Sequence, residues 1–355
     1  MKLLEPWTLG PYALSNRVAM APMTRNRADE HGVLPDYVAE YYAQRASAGL
    51  LITEGTQPSA KGQGIPNTPG MHSDEQEAAW RKVGEAVHER GGVIFCQLMH
   101  TGRAGHSSVA PNPEDFVAPS AIAADMLVAT ADGREVQAET PRALETSEIA
   151  EIVESYASAA QRAIDAGLDG IELHAANGYL PHQFLNHGTN QREDEYGGSP
   201  ENRARFVVEV MSAMAERIGG DRVGIRVSPG GKFNDMRGLD DEETYMALLD
   251  GLRGLNLAYL HTLKRRSNSM HEEMRRRWPT TFMVNTGYHG SSEPPALEAE
   301  LESGSADMVS VGRWFISNPD LIERWRAGAP LTEWDEATFF TSGREGLIDY
   351  NFATR

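Results

Sequence analysis

The chain has 355 residues, of which 40% are hydrophobic and 24% charged. That composition suits a globular protein with a sizeable core, and the length allows two ordinary domains or one large α/β barrel. The formal net charge of −18 repels phosphate backbones and anionic lipid, so a small molecule is the expected partner rather than nucleic acid or membrane. A single cysteine, Cys96, excludes an internal disulfide and an iron–sulfur cluster held by four protein thiolates.

No long apolar stretch precedes Pro6 and Pro11, so neither a signal peptide nor a membrane anchor is expected, and the cytoplasm is the expected compartment. Eight short apolar or β-branched runs then follow: Arg17 to Ala21, Leu50 to Thr53, Val93 to Gln97, Gly170 to His174, Val223 to Val227, Ala258 to His261, Thr281 to Asn285 and Met308 to Val311. Between them lie segments of helical periodicity. One places Trp80, Val83 and Val87 on one face after Ser73 and stops at Gly91-Gly92; another runs from Thr146 to Gly167; a third is capped by Ser199 and opened by Pro200. Strand and helix in alternation predict a (β/α)8 TIM barrel with a parallel sheet covered on its outer face. The interval of about 102–146, with its prolines and an Asp132-Gly133 hairpin turn, is too long for a simple loop and is read as a capping insertion after the third strand. No repeat, low-complexity tract or linker interrupts the chain, so residues 1–355 are read as one domain.

In such a barrel the chemistry sits where the strands end. This sequence places polar or small residues there repeatedly: Pro22-Met23-Thr24, Glu54-Gly55, Gln97, His174 with Asn177 and Tyr179, Arg226, His261, Asn285-Thr286-Gly287 and Gly312-Arg313. Loops after the seventh and eighth strands often hold a phosphate, which the backbone of Thr286, Gly287 and Gly312 and the guanidinium of Arg313 suit, although lone glycines also serve simply as turns. Arg226 ends an apolar strand, where an unpaired guanidinium is costly, so it should face a negative partner, ligand or carboxylate. Gln97 fits a ligand contact or a satisfied core amide. His174 and Asn177 can both donate to a carbonyl oxygen that gains negative charge, and Tyr179 is a weak acid matched to protonating a carbanion. His174, His182 and His187 are spaced by eight and five, which fits neither a helical zinc pair nor strand alternation, so no metal is expected. Cys96 reads as a buried small hydrophobe, and the cluster Lys264, Arg265, Arg266, Arg275, Arg276, Arg277 as a solvated surface rather than a phosphate site.

Along almost the whole chain these residues fall in segments that resemble the Old Yellow Enzyme family of flavin oxidoreductases: NRVAMAPMTRNRA, YYAQRASAGLLITEG, GIPNTPGMHS, FCQLMHTGRAGHS, GIELHAANGYLPHQFLNHGTNQREDEYGGSPENRARF, GIRVSP, AYLH and DMVSVGRWFISNPDLIERW. Thr24 and Asn177 match one main branch, the other carrying cysteine and histidine there. The resemblance implies FMN as cofactor, with NADPH or NADH as reductant and activated alkenes as substrates. By position, Pro22, Met23 and Thr24 would lie under and beside the flavin ring, with Thr24 at its O4; Gly55, Gln97 and Arg226 would meet its pyrimidine edge, and Thr286, Gly287, Gly312 and Arg313 its phosphate. His174 and Asn177 would hold the substrate carbonyl and Tyr179 would donate the proton. Met99 and Ile65 stand where many members carry tryptophan and tyrosine, and Tyr350 resembles a pocket tyrosine. A monomer or homodimer is expected. A phosphate-binding aldolase or isomerase, for which Lys232 is the only lysine near a strand end, and a non-catalytic FMN-binding protein are the competing readings.

Overall fold

In the computed structural model, which describes residues 1–237, 242–264, 269–287 and 290–353, eight parallel strands close into a barrel in chain order. They are β1 (Val18–Met20), β2 (Leu50–Ile52), β3 (Ile94–Leu98), β4 (Gly170–Ala175), β5 (Val223–Val227), β6 (Tyr259–Leu263), β7 (Thr281–Asn285) and β8 (Met308–Val311). Each expected run coincides with one of them to within two residues at either end. β8 pairs with β1, Val311 opposite Met20, which closes the sheet.

A helix follows each strand: α1 (Tyr37–Ala43), α2 (Asp74–His88), α3 (Thr146–Asp165), α4 (Pro200–Ile218), α5 (Glu242–Leu252), α6 (Ser269–Arg277), α7 (Pro294–Glu302) and α8 (Leu321–Ala327). Their starts follow from local chemistry. Ser73 and Gln76 form a reciprocal capping box on α2, and the Ser199 hydroxyl accepts from the amide of Asn202 ahead of Pro200 on α4. Among the described residues no helix is long and apolar enough to cross a membrane.

Strand alternation sorts the side chains into two layers. Outward residues such as Val18, Leu51, Cys96, Ile171, Ile225 and Val309 pack against the helices. Cys96 is fully buried, and burial pushes its thiol up to about 12, so it is an inert part of this layer. Inward residues near the strand starts form a second apolar cluster of Ala19, Leu50, Ile52, Phe95, Tyr259, Met283 and Met308. An N-terminal hairpin, Trp7–Leu9 paired with Tyr12–Leu14, adds Leu9 and Leu14 to it and plugs that end of the barrel. Further along the same inner faces the residues turn polar, so the barrel is closed at one end and chemically open at the other.

Two segments outside the barrel repeat build over the polar end. The 102–146 interval carries a short parallel pair, Val117–Ala118 with Arg142–Ala143, and a hairpin, Leu127–Ala129 with Glu135–Gln137, whose turn holds Gly133 at φ +79. The second is C-terminal and is held by buried arginines, which need acceptors once removed from water. Arg25 donates to the carbonyls of Phe339 and Gly346, and Arg27 to those of Thr338, Phe339, Gly343 and Glu345. Arg45 donates to the carbonyls of Phe315, Ile316 and Leu347. Main-chain carbonyls bind these guanidinium groups without needing a buried carboxylate for each.

Removing one of these donors strands several carbonyls together. Arg27→Ala is expected to cost about 2–4 kcal/mol of stability and to make residues 338–345 the first site of limited proteolysis. Wild-type cleavage rates there would show that the clamp holds nothing.

Candidate active site

The open end of the barrel leads into a cavity of about 1060 Å³, at the upper limit of the ~300–1,000 Å³ usual for one small ligand. It therefore has room for a cofactor and a second small molecule. Of the residues expected at the site, Pro22, Met23, Thr24, Ile65, Gln97, Met99, His174, Asn177, Tyr179, Arg226, Gly287, Gly312 and Arg313 line it together. They come from distant parts of the chain, and only closure of the barrel collects them.

Gly55, Thr286 and Tyr350 fall outside this lining, each for a visible reason. A Cβ on Gly55 would come within 2.6 Å of the Met99 sulfur, so Gly55 shapes the cavity by letting Met99 pack over it. The Thr286 hydroxyl lies 3.5 Å from the Ser292 hydroxyl, while its neighbours Asn285 and Gly287 reach the cavity. The Tyr350 hydroxyl accepts the amide of Asp335, and the wall on that side is made by Trp334, Phe339 and Phe340. Sequence reading missed those aromatics, together with Leu127 and Phe233 at the rim, because irregular segments carry no periodicity that would aim their side chains.

The turn after β4 explains why His174, Asn177 and Tyr179 meet. Asn177 and Gly178 both adopt left-handed backbone, φ +54 and +77, the conformation that Asn and Gly tolerate best. The turn is fixed from outside: the Asn177 amide donates to Ser228 Oγ at 2.8 Å, and Asn234 Nδ2 donates to the Asn177 carbonyl at 2.9 Å. His182 Nδ1 accepts the Gly178 amide at 3.0 Å. Gly178 has no room for a side chain, since a Cβ would lie 2.7 Å from that of Asn234. The chain then enters a short helix, Leu180–Leu185, with Tyr179 at its cap, and the rings of Tyr179 and His174 meet edge to face at 4.8 Å.

Electrostatically this end of the site sets the guanidinium of Arg226 beside neutral imidazoles. His174 is fully buried, and desolvation followed by the charge of Arg226 holds it well below the usual histidine range. Burial likewise lowers His182 to about 3. Among the described residues His174 Nδ1 has no partner; a neutral ring can donate from one nitrogen and accept at the other. Arg226 lies opposite His174 on one side and His261 on the other in the strand register, and is 7% exposed.

At the far side of the cavity Asn285, Gly287, Ser292, Gly312 and Arg313 come together from the loops after β7 and β8. Gly287 takes φ +71, and its amide donates to Asn285 Oδ1. Arg313 lies 3.4 Å from Glu336 and stacks 5.7 Å from the Trp334 ring. Of the basic cluster read as surface, Lys264 pairs with Glu300, Arg275 with Asp307, and Arg276 and Arg277 with Glu273, while Arg265 and Arg266 lie outside the described residues. These features fit a flavin mononucleotide: a cation and loop amides for its phosphate, Met23 and Pro22 for its ring faces, and the buried polar pair Gln97 and Arg226 for its pyrimidine end.

Comparison with known proteins agrees. The family model for the NADH:flavin oxidoreductase / NADH oxidase family matches residues 2–332. The chain is 44% identical to 12-oxophytodienoate reductase 7 of Oryza sativa subsp. japonica, over 99% of this chain and 94% of that protein. It is 40% identical to a probable flavin mononucleotide-dependent alkene reductase of Leishmania infantum, over 99% and 97%. Among solved structures, morphinone reductase in complex with tetrahydroNAD superposes with a TM-score of 0.94 at 44% identity, covering 100% of this chain and 98% of that one. An old yellow enzyme homologue from Zymomonas mobilis gives 0.92 at 38%, covering 99% of both. A match of this extent over a closed eight-stranded barrel means that the chain belongs to the NADH:flavin oxidoreductase / NADH oxidase family and is an FMN-dependent oxidoreductase.

Proposed function

We propose that this enzyme reduces the C=C bond of α,β-unsaturated carbonyls, maleimides or nitroalkenes at the end of the cavity where His174, Asn177 and Tyr179 converge. FMN, when bound, supplies the two-electron chemistry, taking hydride from a reduced nicotinamide, NADPH or NADH, and returning it to the β-carbon of the alkene. Pro22, Met23 and Thr24 would hold the ring, Gln97 and Arg226 its pyrimidine edge, with Gly55 acting through Met99. Gly287, Gly312 and Arg313 would hold the phosphate, with Thr286 outside the lining supporting their loop. The charge of Arg226 would favour added negative charge on a flavin ring held beside it.

The substrate carbonyl accepts from His174 and Asn177, whose donors are in place before charge develops on the oxygen and so need no rearrangement. Tyr179 gives its proton to the α-carbon. Ile65, Met99, Ala104 and Tyr179 form a small apolar cluster that presents aliphatic walls where a rigid aromatic would restrict ring orientation, with Tyr350 behind the outer wall. The observation that carries this reading is the edge-to-face contact of a neutral His174 with Tyr179 inside a cavity large enough for two ligands. The aldolase reading has no comparable support, since Lys232 is exposed and no lysine is among the described residues lining the cavity.

Tyr179→Phe is expected to slow alkene reduction about a hundredfold or more while the bleaching of flavin by NADPH keeps its rate in stopped flow. Equal losses in both half-reactions would remove the proton-donor role. Because His174 is already neutral across the working range, kcat/KM for alkene reduction should show no histidine ionisation between about pH 6 and 8. A step in that interval that disappears in His174→Asn would contradict the neutral-donor assignment.

A further inference from the structure

The roles assigned above leave two buried polar residues beneath the cavity, Glu172 and His261, unused. Glu172, on the inner face of β4 two residues before His174, is fully buried. Gln97 Nε2 donates to its Oε1 at 2.7 Å, and His261 Nδ1 lies 2.8 Å from its Oε2. The chain of contacts continues across the barrel: His261 Nε2 lies 2.8 Å from Ser310 Oγ, and Asn285 Nδ2 reaches that hydroxyl at 2.9 Å. Asn285 Oδ1 then accepts the amide of Gly287 at 2.9 Å.

A carboxylate only accepts, so its needs dictate the direction of every bond attached to it. His261, held neutral mainly by burial, must donate from Nδ1 and accept the Ser310 proton at Nε2. The Ser310 oxygen is then free to accept from Asn285 Nδ2, which leaves Asn285 Oδ1 for Gly287. On the other arm, the nitrogen of the Gln97 carboxamide is committed to Glu172. Its carbonyl oxygen takes no donor from the described residues and is the atom left for the cavity that Gln97 lines.

We propose that Glu172 is a positioning residue for the cofactor site: it fixes the Gln97 carboxamide with its oxygen towards the cavity, where it accepts the one ring N–H of oxidised FMN. The proposal rests on the placement of Gln97 at the pyrimidine edge. Two ring carbonyls flank that N–H, so a glutamine turned the other way would donate to a carbonyl and leave the N–H without its acceptor. Glu172 removes that choice by occupying the NH2 from below.

The test is a double-mutant cycle on apoprotein titrated with FMN, using wild type, Glu172→Gln, Gln97→Ala and the double variant, each then loaded with isotope-labelled FMN for NMR. Glu172→Gln is expected to weaken FMN binding about tenfold and to move the ring N–H resonance, and to do neither once Gln97 is alanine. Equal effects in both backgrounds would overturn the proposal and make Glu172 a general electrostatic or structural group. Neutron diffraction from deuterated wild-type holoprotein decides the matter even if Glu172→Gln does not fold. The expected map has deuterium on His261 Nδ1 and the Gln97 ND2 group against a bare Glu172, whereas a deuteron on Glu172 or a flipped Gln97 would overturn the proposal. Wild-type protein that binds no FMN would instead overturn the cofactor site itself.

Discussion

A closed parallel barrel leaves its inward side chains two places to be satisfied, against one another or at the open end. In this protein the division is sharp. The lower inner layer is apolar and so crowded that Gly170 and Gly224 are required, because a Cβ would lie 2.6 Å from the Phe95 ring and 2.3 Å from the Tyr259 ring. Above it Gln97, Glu172, His174, Arg226, His261, Asn285 and Ser310 share the interior, where an unmet hydrogen bond costs far more than in water. The bonds that join Gln97, Glu172, His261, Ser310 and Asn285 brace the floor of the cavity before any ligand arrives, and catalysis by fixed dipoles needs such bracing.

The same burial decides the charge state of the site. His174, His182 and His261 are all pushed towards the neutral form by desolvation, and the charge of Arg226 adds to this at His174 and His261. At this end the cavity thus offers the guanidinium of Arg226 and the uncharged imidazole of His174, a combination that in the proposed reaction would stabilise negative charge on either ligand without a strong acid beside a carbanion. In the proposed reaction the weaker acid Tyr179 is the proton source. The outer walls are built by the insertion hairpin and the arginine-clamped C-terminal segment, whereas the floor is built by the inner faces of the strands.

Much of this was legible in the sequence, for identifiable reasons. The eight strands stood out because buried parallel strands are apolar on both faces, and their ends stood out because each broke into Gly, Pro or a polar residue. Ser73, Ser199 and Pro200 marked helix starts by chemistry that is local to the chain. The Asp132-Gly133 turn was visible for the same reason. Glu172 was overlooked although its spacing from His174 puts both on one strand face, because its partners Gln97 and His261 are distant in sequence. Tyr350 was placed by position along the chain, whereas the fold turns its hydroxyl to Asp335 and gives the wall to Trp334, Phe339 and Phe340. No local pattern encodes how an irregular segment lies across a cavity.

If one cavity binds FMN and passes electrons from a reduced nicotinamide to an activated alkene, the visible absorption spectrum will report each step. Purified protein, followed anaerobically, should show a flavin band that bleaches on addition of NADPH or NADH and returns on addition of cyclohex-2-enone. A colourless protein that takes up no FMN, or a reduced flavin that the enone leaves bleached, would contradict the account.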